Sequence, residues 1–103
     1  MMRYSVFSVI SPEGCSAILW NDPKKAEAAT NAMKITSSDL KELGLIDAVI
    51  DEPLIGAHRD RDTSATAIAD YFLAQVKELR EIGTEQRMEN RYNKLTSVGA
   101  FAE

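Results

Sequence analysis

The feature that most constrains the fold is an alternating run at residues 3–10, which ends at a Ser-Pro pair. Tyr4 and Val6 fall on one side of the run, and Phe7 and Val9 fall on the other. Large apolar groups on both sides are typical of a β-strand that is covered on both faces. The run therefore predicts a strand that needs neighbouring strands and helix cover.

Only one other strand-like run follows, at residues 45–50 (LIDAVI). Two short strands make a poor sheet by themselves, because independent stability usually takes about three strands or extensive helix cover. We therefore predict an α/β fold that is helix-rich, with about two short strands. We also expect that Met1 is not a natural domain start.

Local start and stop signals predict helices along the rest of the chain. Ser11 is a good N-cap with Pro12 at the first helical position, and Asp22 with Pro23 repeats this signal for a second helix that ends near Lys34. A third helix is predicted from the TSSDLKELG stretch. Its N-cap is expected within Thr36–Ser38, and Gly44 suits the left-handed residue at its C-terminal end.

The clearest helical periodicity lies at residues 62–82, after a loop at 51–62 that is rich in charge. Its apolar residues recur at helical spacing: Ala65, Ile68, Ala69, Phe72, Val76 and Leu79. Gly83 ends this helix and Thr84 begins another. We predict two segments, a strand and helix core at 1–61 and C-terminal helices at 62–103.

Composition excludes several classes of function. The chain has 103 residues, 45% of them hydrophobic, and a net charge of −4, which indicates one small domain without the basic face that nucleic acid requires. One cysteine and one histidine are too few for a structural zinc site or a disulfide, so no metal is expected. No apolar run is long enough for a membrane span, and we predict a cytoplasmic location.

The SPEGC stretch, residues 11–15, has the most interesting side-chain chemistry. Cys15 as a nucleophile would need a base, and its i, i+3, i+4 spacing with Ile18 and Leu19 favours a buried structural thiol. Glu13 is either a general acid or base or an ordinary first-turn carboxylate that interacts with the helix dipole. His58 lies among charged loop residues, where a solvated histidine is the more common case.

A basic set on the last helix is open to two interpretations. Arg87, Arg91 and Lys94 lie beside an apolar stripe of Met88, Tyr92 and Leu95. They suit a phosphate ligand or a solvated helix face equally well.

The chain resembles the C-terminal part of the carboxyltransferase α subunits of bacterial acetyl-CoA carboxylases. The resemblance rests on three stretches in the family's order and spacing: YSVFSVISPEGCSAILW (4–20), LKELGLIDAVIDEPLIGAHRD (40–60) and RYNKL (91–95). It implies a crotonase-like fold, in which the C-terminal helices pack against a partner subunit. It also implies that essential parts of the active site, including a paired-glycine oxyanion segment, precede Met1 and that this chain is inactive alone.

The resemblance implies a reaction of fatty acid synthesis. The carboxyl group of carboxybiotin, held on a separate biotin carboxyl carrier protein, passes to acetyl-CoA to give malonyl-CoA. Implied partners are a β subunit in an α2β2 heterotetramer, the carrier protein and biotin carboxylase. Backbone N–H groups in oxyanion holes would stabilise the developing charge, so no catalytic side chain is expected in this chain.

By this resemblance, the SPEGC stretch becomes a substrate-binding wall near biotin. It comprises Ser11, Pro12, Glu13, Gly14 and Cys15. Gly14 would permit close approach of the ligand, and the side chains of Glu13 and Cys15 would be structural or supporting.

One loop departs from the family pattern. Where the family has Leu-Gly-Gly-Ala-His, this chain has Leu54-Ile55-Gly56-Ala57-His58. A left-handed backbone at Ile55 would be strained, so no role is transferred to this loop.

Two alternatives stay open: a subunit-assembly module without catalytic residues, and another crotonase-like acyl-CoA enzyme. We also expect self-association through an unpaired strand edge or an exposed apolar face.

Overall fold

The structure is a computed structural model that describes residues 1–99. The described part of the chain contains five α-helices and one short 3-10 helix, in this order: α1 (Pro12–Trp20), the 3-10 helix (Pro23–Lys25), α2 (Ala26–Met33), α3 (Ser37–Glu42), α4 (Arg61–Glu81) and α5 (Thr84–Thr96). The chain divides into two compact units, Met1–Val49 and Ile50–Glu103. The first unit contains α1 to α3, and the second contains α4 and α5.

The predicted caps of the first two helical segments are confirmed. The Ser11 hydroxyl accepts a hydrogen bond from Gly14 N–H at 3.1 Å, with Pro12 in the first turn of α1. Asp22 Oδ1 accepts from Lys24 N–H at 3.0 Å and begins the 3-10 helix that leads into α2. Each side chain satisfies a backbone donor that has no acceptor inside its own helix.

The third helix ends as predicted at Gly44. Gly44 has φ +70°, and its N–H donates to Lys41 O at 3.1 Å. The N–H of Leu45 donates to Leu40 O at 2.9 Å. This pair of bonds is the Schellman arrangement, in which a left-handed residue lets the last helical carbonyls find donors.

The helices of the second unit begin and end close to the predicted positions. Asp60 is the N-cap of α4 and its Oδ1 accepts from Thr63 N–H at 3.1 Å. Helix α4 ends at Glu81, and Gly83 is the N-cap of α5 without a side-chain hydrogen bond. The long apolar periodicity therefore predicted a real helix of 21 residues.

The buried face of α1 differs from the predicted one. Ser16 is fully buried, whereas Cys15 is only half-buried, and Ile18 and Leu19 are exposed. Helix α1 packs against the 3-10 helix and α2, and Ala29 of α2 is fully buried. The small side chains of Ser16 and Ala29 suit close helix packing. The face of α1 that is buried is therefore the one with Ser16, which apolar spacing did not indicate.

The two predicted short strands are not formed in residues 1–99, so that detail of the predicted fold is not confirmed, whereas its helix-rich character is. Residues 3–10 make one isolated antiparallel bridge, between Val6 and Thr36, with Phe7 N–H donating to Ile35 O at 3.1 Å. Residues 45–47 form a bend, residues 48 and 49 have no regular structure, and Ile50 is an isolated bridge residue. A strand needs a ladder of hydrogen bonds to a neighbour, and residues 3–10 have an isolated bridge in place of a ladder.

The apolar stripes of the second unit are largely exposed. Phe72 and Leu73 on α4 each expose 64% of their surface. The stripe on α5 is exposed to a similar degree, with values of 64% for Met88, 68% for Tyr92 and 61% for Leu95. In the second unit, the buried residue of α4 is Ser64, whose hydroxyl donates to Asp60 O at 2.7 Å.

Candidate functional site

The predicted site, the SPEGC segment (residues 11–15), lies where the N-terminal run meets α1. Ser8 stabilises the backbone just before this junction. Its hydroxyl donates to Ile10 O at 2.6 Å, and Ile10 N–H donates to the same hydroxyl oxygen at 3.3 Å. One side chain thus binds both backbone groups of Ile10 and orients the chain as it enters the helix.

Gly14 is covered by Ile10 of its own chain. A Cβ built on Gly14 would lie 2.9 Å from Ile10 Cγ1, 3.0 Å from Ile10 Cδ1 and 3.4 Å from Ser11 Oγ. Real Cβ atoms essentially never approach another heavy atom closer than 3.0 Å, so any larger residue at position 14 would move Ile10. A side chain of the same chain, Ile10, therefore lies against this glycine, and the expected approach of a ligand stays a prediction.

The first turn of α1 has few free backbone donors. Gly14 N–H donates to the Ser11 hydroxyl, and Cys15 N–H donates to Ser11 O at 2.9 Å. Pro12 has no N–H. Among the described residues, no atom accepts from Glu13 N–H or from Ser11 N–H, so Glu13 N–H is a backbone donor without a partner in the first turn, at the positive end of the helix dipole.

The side chains of the SPEGC segment form no acid–base or nucleophile pair within residues 1–99. Glu13 is exposed, and it is its carbonyl oxygen that accepts the Ser16 hydroxyl at 3.0 Å. Cys15 is a free, half-buried thiol. A cysteine nucleophile needs a base within hydrogen-bond reach, and α1 supplies none.

The loop at 52–60 contains the departure from the family pattern. Gly56 has φ +87°, while Ile55 is outside the left-handed region. Gly56 N–H donates to Pro53 O at 2.8 Å, and Arg59 N–H donates to Gly56 O at 3.1 Å. In these two consecutive turns, the residue with the left-handed conformation is therefore Gly56, the glycine of the family pattern that this chain retains. Ile55 precedes it and has no backbone strain.

His58 lies against this loop rather than in an active-site cluster. A Cβ at Gly56 would lie 3.0 Å from both Cε1 and Nδ1 of His58, and the histidine is exposed. Glu52 stabilises the same loop, since its Oε2 accepts from Ala57 N–H at 3.3 Å. This geometry favours a structural histidine over a catalytic one.

The basic set on α5 separates into different roles. Arg87 is half-buried, with Nη1 donating to Leu79 O and Nη2 donating to Thr84 Oγ1, both at 3.1 Å. Arg91 and Lys94 are exposed. Because Arg87 joins the last turn of α4 to the first turn of α5, this geometry favours a structural role for Arg87 over a phosphate site shared by the three cations.

Two concavities in the first unit lie away from the SPEGC segment. A cavity of about 570 Å³ lies between residues 3–6 and residues 36–38. A more apolar one of about 450 Å³ is lined by Phe7, Val9 and Leu40, among others. Neither is lined by any residue of the SPEGC segment.

Residues 1–99 contain neither a cluster of metal ligands nor a helix suited to a membrane. No three histidine, cysteine, aspartate or glutamate side chains in residues 1–99 are grouped as metal ligands. No helix in that part of the chain has the length and apolar character needed to cross a membrane.

One residue of the junction was not anticipated from the sequence. Ile10 immediately precedes the N-cap Ser11, and an apolar residue at this position commonly packs back onto the first turn of the helix. The position of Ile10 before the N-cap, together with a glycine four residues later, was the sequence signal from which this contact could have been predicted.

Comparison with known proteins gives the class and then the family. Residues 1–99 match the family described as acetyl co-enzyme A carboxylase carboxyltransferase-like. The acetyl-coenzyme A carboxylase carboxyl transferase subunit alpha of Sulfurimonas denitrificans is 77% identical over 103 residues, which are 100% of this chain and 33% of that protein. The proteins of the same name from Sulfurovum sp. and Nitratiruptor sp. are 64% and 59% identical over 103 residues, again 33% of each.

The class is therefore that of the carboxyltransferase-like proteins. The chain belongs to the acetyl-CoA carboxylase carboxyltransferase family, and its relatives at high identity are α subunits. It spans about one third of the length of these curated relatives, since the matches cover 33% of each.

Proposed function

We propose that this chain is the C-terminal part of a carboxyltransferase α subunit that helps to transfer a carboxyl group from carboxybiotin to acetyl-CoA. The observation that carries the proposal is the 77% identity to the Sulfurimonas denitrificans subunit across the whole chain. The product, malonyl-CoA, would serve fatty acid synthesis. The proposed fold of the whole subunit is crotonase-like.

The proposed reaction needs no nucleophilic side chain from this chain. The N–carboxyl bond of carboxybiotin and a C–H bond of the acetyl methyl group break, a C–C bond forms, and the methyl proton passes to biotin. Negative charge develops on oxygen atoms, which backbone N–H groups stabilise when they are already oriented. This requirement agrees with a SPEGC segment whose side chains form no catalytic pair.

The proposed substrate-binding wall comprises Ser11, Pro12, Glu13, Gly14 and Cys15. Glu13 N–H is a donor of this wall that has no acceptor among the described residues, at the N-terminal end of α1. An oxyanion hole generally combines at least two donors, so a second donor would come from another segment. This incomplete site is one reason to expect that the 103-residue chain is inactive alone.

The proposed partners follow from the same assignment. They are a carboxyltransferase β subunit in an α2β2 assembly, the biotin carboxyl carrier protein and biotin carboxylase, all in the cytoplasm. Biotin would arrive on the carrier, and acetyl-CoA and malonyl-CoA would be substrate and product. No metal is proposed for this chain.

A reconstitution experiment tests this function. A chimeric α subunit is built in which this chain replaces the matching third of the Sulfurimonas denitrificans protein, and it is assembled with that organism's β subunit. Carboxyl transfer from malonyl-CoA to a biotin derivative should occur with the chimera and not with the 103-residue chain plus the β subunit. An inactive chimera that still assembles would contradict the proposal, and activity of the short chain would contradict the incomplete site.

A second candidate function is subunit assembly without a direct part in catalysis. The exposed apolar residues on α4 and α5 favour it, because Phe72, Leu73, Met88 and Tyr92 all expose more than 60% of their surface. Patches of this kind mark interaction sites more often than isolated surface residues do. Under this alternative, substitutions in the SPEGC segment would leave turnover unchanged in an assembled chimera.

A further inference from the structure

The SPEGC segment depends on a residue outside it. Ile10 Cγ1 and Cδ1 occupy the space where a Cβ of Gly14 would lie, at 2.9 and 3.0 Å. Ile10 is half-buried, and Ser8 binds both its carbonyl oxygen and its N–H. The residue that covers Gly14 is thus itself held in place by the chain before it.

The same contact orients the start of α1. Ser11 lies between the two residues, and it caps Gly14 through its hydroxyl and Cys15 through its carbonyl. With those two donors satisfied, the orientation of the remaining Glu13 N–H follows the orientation of the first turn. A methyl group at position 14 would displace either the Ile10 side chain or the first turn, because the two would occupy the same space.

We propose that Ile10 is a positioning residue of the SPEGC segment, and that Gly14 is a glycine so that Ile10 can pack on the first turn of α1. This inference rests on the proposed function of the segment. It differs from the sequence-based expectation, in which Gly14 makes room for the ligand. Ile10 acts here through the backbone that it orients and contacts no reacting atom.

A double-mutant cycle separates the two explanations for Gly14. The chimeric α subunit described above, assembled with its β subunit, is compared with Gly14→Ala, Ile10→Ala and the double variant. If Ile10 is the reason for the glycine, Gly14→Ala lowers kcat/KM about tenfold in the presence of Ile10, because misplacement of a reacting group by about 1 Å has effects of this order or larger. In the Ile10→Ala background, the same substitution then changes kcat/KM by less than about twofold, since residues in contact are not additive.

The kinetic constants provide a second readout. We expect the KM for the biotin derivative to rise in Ile10→Ala while the KM for malonyl-CoA stays unchanged, and general loss of structure would not produce this split. Ile10→Val, which removes Cδ1 but keeps a branched apolar side chain, should retain the parent kinetics.

The outcomes distinguish the inference from the function on which it rests. Equal effects of Gly14→Ala in both backgrounds, in an active parent chimera, would overturn the inference alone and return Gly14 to ligand approach. Equal rises in both KM values would overturn the positioning role. A parent chimera without activity would overturn the proposed function and the positioning role together.

Discussion

The imidazole of His58 lies directly against the backbone of Gly56, so that a Cβ at Gly56 would be 3.0 Å from both Nδ1 and Cε1. Gly56 also has φ +87°. Two independent features therefore favour glycine here: the left-handed backbone conformation and the close packing of the ring. The neighbouring Ile55 is not in the left-handed region, which explains why isoleucine is tolerated at that position.

Gly56→Ala should destabilise the second unit, because alanine is strained at positive φ and its methyl group would displace His58. We expect a loss of about 1–2 kcal/mol in the free energy of unfolding, measured by urea denaturation. Gly83→Ala is the matched control. Gly83 has φ −59° and no atom within 4 Å of a built Cβ, so we expect a change of no more than about 0.5 kcal/mol there. Equal effects of the two substitutions would contradict the assignment of strain to Gly56.

The carboxyl group of Asp39 should titrate at low pH. The Thr36 hydroxyl donates to its Oδ2 at 2.6 Å and lowers its pKa below the ordinary value of 3.8, and Lys34, at 3.7 Å, lowers it further. NMR titration of this chain should place the pKa below 3.8. Thr36→Val should raise it toward that value, and Lys34→Met should raise it by a smaller amount. An unchanged pKa in Thr36→Val would refute the stated cause.

The sign of the pH dependence follows from this lowered pKa. The folded state favours the charged carboxylate, so the resulting stabilisation is complete above the unfolded value of 3.8. It is lost as the pH falls through the lower pKa of the folded state. The difference in thermal unfolding between the parent and Thr36→Val should therefore be larger above this range than in acid, where the loss of the Thr36 N-cap remains.

Arg87 should stabilise the corner between α4 and α5. Its two hydrogen bonds, to Leu79 O and Thr84 Oγ1, connect helices whose shared corner has no side-chain cap at Gly83. Arg87→Ala should cost about 1 kcal/mol, the usual net contribution of intramolecular hydrogen bonds. It should also speed amide hydrogen exchange in the first turn of α5. Arg91→Ala, an exposed arginine one turn later, is the control and should change neither quantity.

The 103-residue chain should self-associate through its N-terminal run. Val9 is fully exposed and Phe7 exposes 69% of its surface, in a segment whose alternation suits strand pairing. Sedimentation velocity should show a mean mass that rises with concentration. Val9→Lys should reduce this rise, because a charge on an edge opposes pairing between copies. Thr66→Lys, at an exposed site of α4, adds the same charge and should leave the rise unchanged.

A strictly monomeric profile over a wide concentration range would contradict self-association. An equal reduction by Val9→Lys and Thr66→Lys would indicate that net charge matters and that the run itself does not.

Helix boundaries could be predicted from the sequence because their signals act within a few residues. Ser11, Asp22 and Thr36 each accept a hydrogen bond from a backbone N–H two or three positions later. Gly44 likewise completes its pair of bonds inside one turn. None of these contacts depends on a distant part of the chain, so the local sequence is sufficient to specify them.

Buried faces and strands were decided by tertiary structure. The alternation at residues 3–10 describes side chains suited to a pleated surface, but a strand forms only when a second backbone supplies its hydrogen bonds. In the same way, α2 packs against α1 where Ser16 is buried, although Ile18 and Leu19 have the apolar spacing. The spacing of apolar residues shows which side chains favour burial. The helix that packs against them in the folded chain determines which of them are buried.

The sequence by itself determined the helices, their caps and the family of this chain. Only the tertiary structure showed that Ile10 occupies the space above Gly14, that Gly56 rather than Ile55 is left-handed, and that Arg87 is bound at a helix corner. The physical reason is range: capping bonds form between near neighbours in the chain, whereas packing, strand pairing and the identity of a covered face depend on residues brought together by folding.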